Sequence, residues 1–491
     1  MTINSAYRAT NTRRGALSIL AASAAYTLCP RMASAETYTT LHEDVARRVR
    51  ALVGGRQLTL SLLLPNGSGG NVNPVIDAFQ SMTGVKILSL ETPVDEINTE
   101  LSLDALSDTR RFDLALPATF GLPDLVASGA ILPLTEYANR HEPAGFRDDI
   151  LYSVGDSFDD DIYGFQTDGD AYIMFYQREM LENPDEQSRY EDMFGRPLAK
   201  PETWAELDRQ MAFFNRPSED KWGGLLFRTP GYLAWEWWVR FHAKGVWPFS
   251  PELRPQIASD AGVEALEEMI RVTEHLHPLA SELGLFGNWE RYGKGDIYCN
   301  IGWGGSQKYL NGAHSNVKGK LVYGPTPGGV VNDQPLITPY FNWGWNYVVP
   351  SNSEFPEISY LFALFASTPE MSTLAVRQND GFFDPYRPEH YDDAGINSAY
   401  TPEFLKVHRA SLEMAIPDLY LKDQAEYFRI LTEWLVRAMA GEISPKNALE
   451  RVAQMWDLIT KGAGQSVQIE RWKRLRAKYP KQIRDLLVDI S

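Results

Sequence analysis

The sequence predicts an α/β protein of two or more lobes. Two observations carry that class. Aliphatic and β-branched runs alternate along the chain with segments of helical periodicity, the pattern of a parallel sheet covered by helices. The chain has 491 residues, more than one hydrophobic core usually organises. With 44% hydrophobic and 23% charged residues, its composition is that of a soluble globular protein. Aromatics reach 12%, including 13 Trp, which serves either a large core or a surface that stacks on flat apolar faces such as those of sugars.

The first 35 residues do not belong to the fold. Arg13-Arg14 is followed by an apolar run from Ala16 to Leu28 and by Ala33-Ser34-Ala35, an A-x-A cleavage site. That run is short for a membrane span. It reads as a twin-arginine signal peptide cut after Ala35, which implies a periplasmic protein; an uncleaved anchor is the alternative. Leu28 before Cys29 argues against a lipoprotein site. Losing Arg8, Arg13, Arg14 and Arg31 lowers Lys+Arg from 47 to 43 against 64 Asp+Glu, a net charge of −21. Such a surface disfavours nucleic acid and anionic lipid. Cys299 is then the one remaining cysteine, so no intramolecular disulfide forms, and its Ile-Tyr-Cys-Asn-Ile setting reads as a buried strand.

Each element follows in order. Leu41, Val45, Val49 and Leu52 mark a helix closed by Gly54-Gly55. Leu58 to Leu64 is the first strand, and Pro65 to Gly70 is a turn into a helix with Val75, Ile76 and Phe79. That Gly-rich turn, with Asn66 and Ser68, offers N–H groups to a polar ligand or is an ordinary βα turn; it lacks the Gly-Lys-Ser/Thr of a nucleotide loop. Gly84 to Leu90 and Phe112 to Pro117 are further strands. Thr203 with Glu206 forms a capping box. Trp222 to Phe227 reads as a strand, Arg228 to Tyr232 as a loop, and the next helix carries Trp235, Trp237 and Trp238, which cannot all face one core. Val263 to Leu279 is amphipathic, and the segment from Val467 to Ile490 contributes a basic helix.

One stretch orders the rest: Asp160 to Tyr176, a short strand, a crossing with Gly164, Asp168, Gly169 and Asp170, then a hydrophobic strand. It resembles the first inter-lobe crossing of the family 1 extracellular solute-binding proteins, the sugar receptors of ABC importers. Other landmarks match that family in order. They are Phe112-Asp113-Leu114 running to Pro133-Leu134, Pro201-Glu202-Thr203-Trp204-Ala205-Glu206-Leu207, Gly293-Lys294 leading to Trp303, and Pro325-Thr326-Pro327-Gly328. Trp343 to Pro350, Thr368-Pro369-Glu370, and Asn379 to Pro385 follow. The resemblance covers roughly residues 56–460. The helix before the first strand is a departure from it.

The resemblance implies a two-lobe periplasmic binding protein fold of type II, each lobe a three-layer α/β sandwich, joined by three inter-lobe crossings. The expected spans are 36–166 and 343–380 for lobe one, and 167–342 and 381–491 for lobe two. The implied function is capture of a carbohydrate or polyol in the inter-lobe cleft and its delivery to the permease subunits of an ABC transporter, by a monomer without cofactor. Asn66, Ser68, Thr119, Phe120, Asp168, Asp170, Arg228, Tyr232, Trp303, Trp343, Trp345, Phe383 and Arg387 are the candidate ligand-binding residues. Asp168 and Asp170 would take hydroxyls and the Trp residues would stack on C–H faces. Arg228 and Arg387 would donate to the ligand or serve in inter-lobe salt bridges. A secreted glycoside hydrolase is the competing class. No cofactor fingerprint or nucleophile elbow supports it, and scattered His, Cys and acidic residues predict no metal site.

Overall fold

The computed structural model describes residues 40–107 and 109–490. The expected export segment and cleavage site lie outside the described residues. Among the described residues, no helix is long and apolar enough to cross a membrane.

Two sheets, one per lobe, organise the chain. The first has the parallel order Lys86–Thr92, Thr59–Pro65, Leu114–Ala115. Its middle strand is flanked on both sides, so it is a nearly unbroken apolar run, with Leu60, Leu62, Leu63 and Leu64 buried. A later part of the chain returns to this sheet: Val348 bridges Ala115, Trp345 bridges Ala118, and Pro350 bridges Ile131. The second sheet has the order Leu321–Pro325, Ile173–Gln177, Ile297–Gly302, Trp222–Leu225. Cys299 is buried in it.

The second sheet departs from the all-parallel expectation. Ile173–Gln177 runs antiparallel to both neighbours, while Trp222–Leu225 and Ile297–Gly302 are parallel. The reason is topological. A strand that arrives from the other lobe is not delivered by a helical crossover, so the βαβ rule does not set its direction.

The helices cover these sheets. Leu41–Val53 ends on Gly54 at φ +61, a left-handed closure that suits glycine. It packs on Gly69–Thr83 and Pro356–Ala366, so the additional N-terminal helix is part of the first lobe's outer layer. The capping box forms as expected: Glu206 N–H donates to Thr203 Oγ1 at 3.2 Å, and Thr203 N–H donates to the Glu206 carboxylate at 3.3 Å.

Pro230–His242 is the centre of the second lobe. It begins two residues inside the expected loop, because Pro230 is preorganised for a first helical turn. Every residue from Tyr232 to His242 is buried, so this helix is surrounded rather than amphipathic. Its three Trp face three directions. Trp237 donates to the Gly262 carbonyl at 3.3 Å, Trp238 packs 5.5 Å from Phe428, and Trp235 turns toward Trp303 and Trp343. Gln424–Met439 packs on this helix and on Pro445–Gly462.

The basic helix Gln465–Lys478 reaches the turn before the first crossing. Arg471 Nε donates to Asp159 at 2.9 Å, and Arg474 pairs with Asp160 at 2.8 Å. Asp159 and Asp160 sit at positive φ in a tight turn between two short strands of the first lobe. Asp124 of the first lobe also accepts the Gln424 and Ala425 N–H groups, at 3.2 and 2.9 Å, which caps a second-lobe helix.

These contacts differ in worth. Trp238→Ala should destabilise the protein by about 3–5 kcal/mol through the cavity it leaves. Arg474→Ala should cost at most about 1 kcal/mol, because its ion pair is largely solvated. Urea unfolding of the two variants measures the contrast, and equal losses would contradict this ranking.

Candidate functional site

Three crossings meet at the junction of the lobes, and the first one ties the other two. Asp168 Oδ1 accepts the Asp384 N–H of the third crossing at 2.6 Å. Asp170 Oδ2 accepts the Gly344 N–H of the second crossing at 3.0 Å. Asp384 in turn accepts Gly304 N–H at 2.7 Å and the Tyr400 hydroxyl at 2.8 Å. Lys308 stands beside this network, and its ammonium donates to the carbonyls of Val376, Gln378 and Phe383 at 2.9, 2.9 and 3.0 Å.

Three buried carboxylates beside one lysine cannot all stay ionised. Burial, and then repulsion from the neighbouring acids, pushes Asp168 and Asp170 well above the usual carboxylate range. Burial raises Asp384 to about 6, while Lys308 holds it down. Burial lowers Lys308 to about 8, against the pull of Asp384 and Asp168. The sequence expectation of scattered ligand atoms is corrected here, since oxygens of Asp168, Asp170 and Asp384 lie within 4.8 Å of one another. Asp384 and one oxygen each of Asp168 and Asp170 accept from backbone N–H groups or Tyr400, which ties the crossings into a knot, while Asp168 Oδ2 is buried with no partner among the described residues.

Aromatic rings wall the space in front of the knot. Trp303 and Trp343 meet edge to face at 5.5 Å, and Trp343 and Trp345 are 5.9 Å apart. Trp235 stands 5.2 Å from Trp343, and Phe382 5.9 Å from Trp345. Phe120, from the first lobe, stands 6.1 Å from Trp343. Trp303, Trp343, Trp345, Phe382 and Asp170 bound a cavity of about 30 Å³, also lined by Val94, Leu285, Trp289 and Gly305, with Trp235 and Phe120 packed behind these rings. Trp289, Gly305 and Phe382 are shared with a wider outer cleft of about 650 Å³, which runs from Gly67 to Lys318 and Asp380. The inner cavity holds only one or two water volumes. A larger solute therefore reaches it only when the lobes part.

The second crossing separates two compartments. Trp343 and Trp345 face the aromatic cavity, whereas Phe341 stacks on Tyr152 at 4.1 Å on the other side. That side is polar and buried. Asn346 accepts from Thr119 Oγ1 at 2.5 Å and donates to Asp156 at 2.6 Å, and Arg147 donates to Asp156 at 3.3 Å. Burial raises Asp156 to about 7, against the pull of Arg147 and Asn346.

The thirteen candidate residues divide accordingly. Asp170, Trp303, Trp343 and Trp345 line the cavity. Phe120 and Tyr232 do not line it but pack behind Trp343, at 6.1 and 5.9 Å. Asp168 lies behind the wall in the knot, and Thr119 buttresses the hinge. The others need correction. Arg228 is buried in the second lobe, bidentate to Glu236 on the central helix, and reaches neither the cleft nor the other lobe. Phe383 is one residue out of register: it points away, and Phe382 lines the cavity. Ser68 donates to the Pro65 carbonyl at 2.8 Å inside an ordinary turn, and Asn66 is exposed outside both cavities. Arg387 is buried outside both cavities, where it bonds Asp149 and the Ser367 carbonyl rather than a ligand.

Val94, Trp289, Gly305, Phe382 and Lys308 were not singled out from sequence. Trp289 carried a usable signal, an isolated Trp shortly before the strand that ends at Trp303. Lys308 carried none.

Comparison with known proteins now bears on the same architecture. Residues 75–401 match the family described as bacterial extracellular solute-binding protein. The chain belongs to that family. Among solved structures it is similar to a solute-binding protein of an ABC transporter from Agrobacterium radiobacter, solved with ribitol. The TM-score is 0.69 at 18% identity, over 82% of this chain and 98% of that one. It is also similar to maltose-bound MalE3 of T. maritima, with a TM-score of 0.70 at 14% identity over 82% and 100%. A third, from Agrobacterium vitis with bound D-mannitol, gives 0.68 at 16% over 83% and 99%. These likenesses establish the two-lobe type II periplasmic binding protein fold.

The raised Asp156 gives a pH test with a defined sign. An acid whose folded pKa lies above its unfolded value binds more protons when folded, so its contribution is complete below about pH 4. That contribution is lost as the pH climbs toward about 7. Asp156→Asn should therefore gain stability relative to the parent protein between pH 4 and pH 7, on the order of 1–4 kcal/mol. Denaturant unfolding across that range checks it, and a difference that does not change with pH would contradict it.

Proposed function

We propose that this solute-binding protein captures a carbohydrate or related polyol between its lobes and delivers it to the membrane subunits of an ABC importer. The observation that carries the reading is the inter-lobe cavity itself, a wall of Trp rings around one carboxylate where three crossings meet. Indole faces suit the apolar C–H faces of a pyranose or an extended polyol, and Asp170 suits its hydroxyls. The ribitol, mannitol and maltose complexes of its structural relatives support the same ligand class.

The mechanism follows from where the wall comes from. Phe120 and Val94 stand on the first lobe, Trp289 and Trp303 on the second, and Trp343, Trp345, Phe382 and Asp170 on the crossings. A ligand that touches all three groups gains contacts only when the lobes close, so binding favours the closed state. On this reading the lobes comprise 36–166 with 343–380, and 167–342 with 381–491. The protein acts as a monomer in the periplasm without catalysing a reaction, after twin-arginine export and cleavage following Ala35.

Calorimetric titration of the mature chain with a panel of hexoses, maltodextrins and polyols tests the ligand class, and no binding across the panel would overturn it. Trp343→Ala should weaken a bound member by roughly 2 kcal/mol, or about thirty-fold. Phe120→Ala should weaken it less, with little change in unfolding stability. If both variants bind like the parent, the ligand lies elsewhere. Replacing Arg13 and Arg14 by Lys should hold the protein in the cytoplasm, and a normal periplasmic yield would refute the export route.

A further inference from the structure

We propose that the inner cavity selects polyhydroxylated ligands that carry a protonated amine, such as amino sugars or amino polyols, with the ammonium held against Asp170. This rests on the carbohydrate reading above and narrows it. Among the described residues, Asp170 is the one ionisable side chain that lines the inner cavity. The neighbouring cation, Lys308, has its three N–H donors committed to three carbonyls.

Around Asp170 the acids outnumber the bases. Asp168 flanks it on its own crossing, Asp384 faces it from the third, and the second crossing offers the Gly344 N–H. Tyr400 contributes a hydroxyl to Asp384, and Lys308 is the single positive charge nearby. Three acids against one lysine hold Asp170 toward its neutral form, and an incoming cation that displaces its proton would pair with the carboxylate left behind. The Trp rings add to this, because indole faces attract an ammonium by about 0.5–1 kcal/mol when exposed and about 2 when desolvated.

A second observation says that the ligand also carries acceptor oxygens. Trp289 and Trp343 both line the cavity, and their indole N–H groups are buried with no protein acceptor among the described residues. A buried donor left unpaired costs about 1–3 kcal/mol, so a bound molecule that supplies hydroxyl oxygens there gains that much advantage. Hydroxyls for the two indoles and an ammonium for Asp170 together describe an amino polyol. An anionic sugar meets the same carboxylate unfavourably. The raised protonation of Asp170 adds a signature, since an ammonium that docks on it displaces its proton.

The test is calorimetry of the mature full chain at pH 7 with matched ligands: D-glucose, D-glucosamine and N-acetyl-D-glucosamine, and D-glucitol beside 1-amino-1-deoxy-D-glucitol. At least one amine should bind about tenfold tighter than its neutral partner, and the acetylated sugar should lose that gain. Repeating the titration in buffers of different ionisation enthalpy should reveal proton release with the amine. Asp170→Asn should remove the preference. Where that variant folds poorly, the parent protein's preference for D-glucosamine over D-glucose and N-acetyl-D-glucosamine decides. Neutral members that bind as tightly as the amines, or amine binding without proton release, would overturn the amine inference and leave the carbohydrate reading standing. No binding by any member would overturn the inference, and failure of the wider hexose, maltodextrin and polyol panel would remove the carbohydrate reading with it.

Discussion

Two hydrogen bonds hold the centre of this molecule, from the backbone of the second and third crossings to the carboxylates of the first. Gly344 N–H reaches Asp170 and Asp384 N–H reaches Asp168. A hinge is irregular backbone, and irregular backbone buried between two lobes leaves N–H groups that no sheet or helix satisfies. Side chains of the first crossing supply the acceptors. The position of Trp343, Trp345 and Phe382 then follows, because each is within two residues of an anchored amide.

Burying these acids has a cost that the rest of the structure distributes. Lys308 compensates one of them, Tyr400 and Gly304 share Asp384, and the remainder shift toward the protonated form. Gly304 is required by the same geometry, since a Cβ there would lie 2.4 Å from the Asp384 carboxylate. Behind the second crossing a second buried set, Arg147, Asp156, Asn346 and Thr119, braces the first lobe against the crossings. The aromatic cavity and this polar brace lie on opposite sides of one crossing, so parting of the lobes acts on both at once. The pairs from Arg471 and Arg474 to the turn at Asp159 and Asp160 add a solvated contact before the first crossing.

Part of the candidate cavity was legible because it is written in local terms. Trp303 stands out through its flanking glycines, Asp170 through its place before a hydrophobic strand, and the Trp343–Trp345 pair through its alternation. The errors have a common cause. Arg228 finds Glu236 eight residues on, two turns into a helix whose start the loop reading missed. Phe382 and Phe383 are adjacent, and which one faces the cleft depends on the backbone direction set by the Asp384 bond to Asp168. Asn66 and Ser68 sit at a turn with the composition of a ligand loop, but their polar groups serve the turn itself.

The sequence by itself determined the alternation of strands and helices, the capping of individual helices and the order of the family's landmarks. Each of these depends on residues within a few positions of one another, so period, cap and turn chemistry suffice. The tertiary structure alone decided the antiparallel course of Ile173–Gln177 in the second sheet and the partners of Arg228 and Arg387. It also decided the meeting of Asp168, Asp170 and Asp384. These join residues as many as 238 positions apart, as in the Asp149–Arg387 pair, and local periodicity carries no information at that range. The knot is the clearest case. Asp384 lies 216 residues from Asp168, and only the return of the chain through the third crossing makes the two acids neighbours and shifts their protonation.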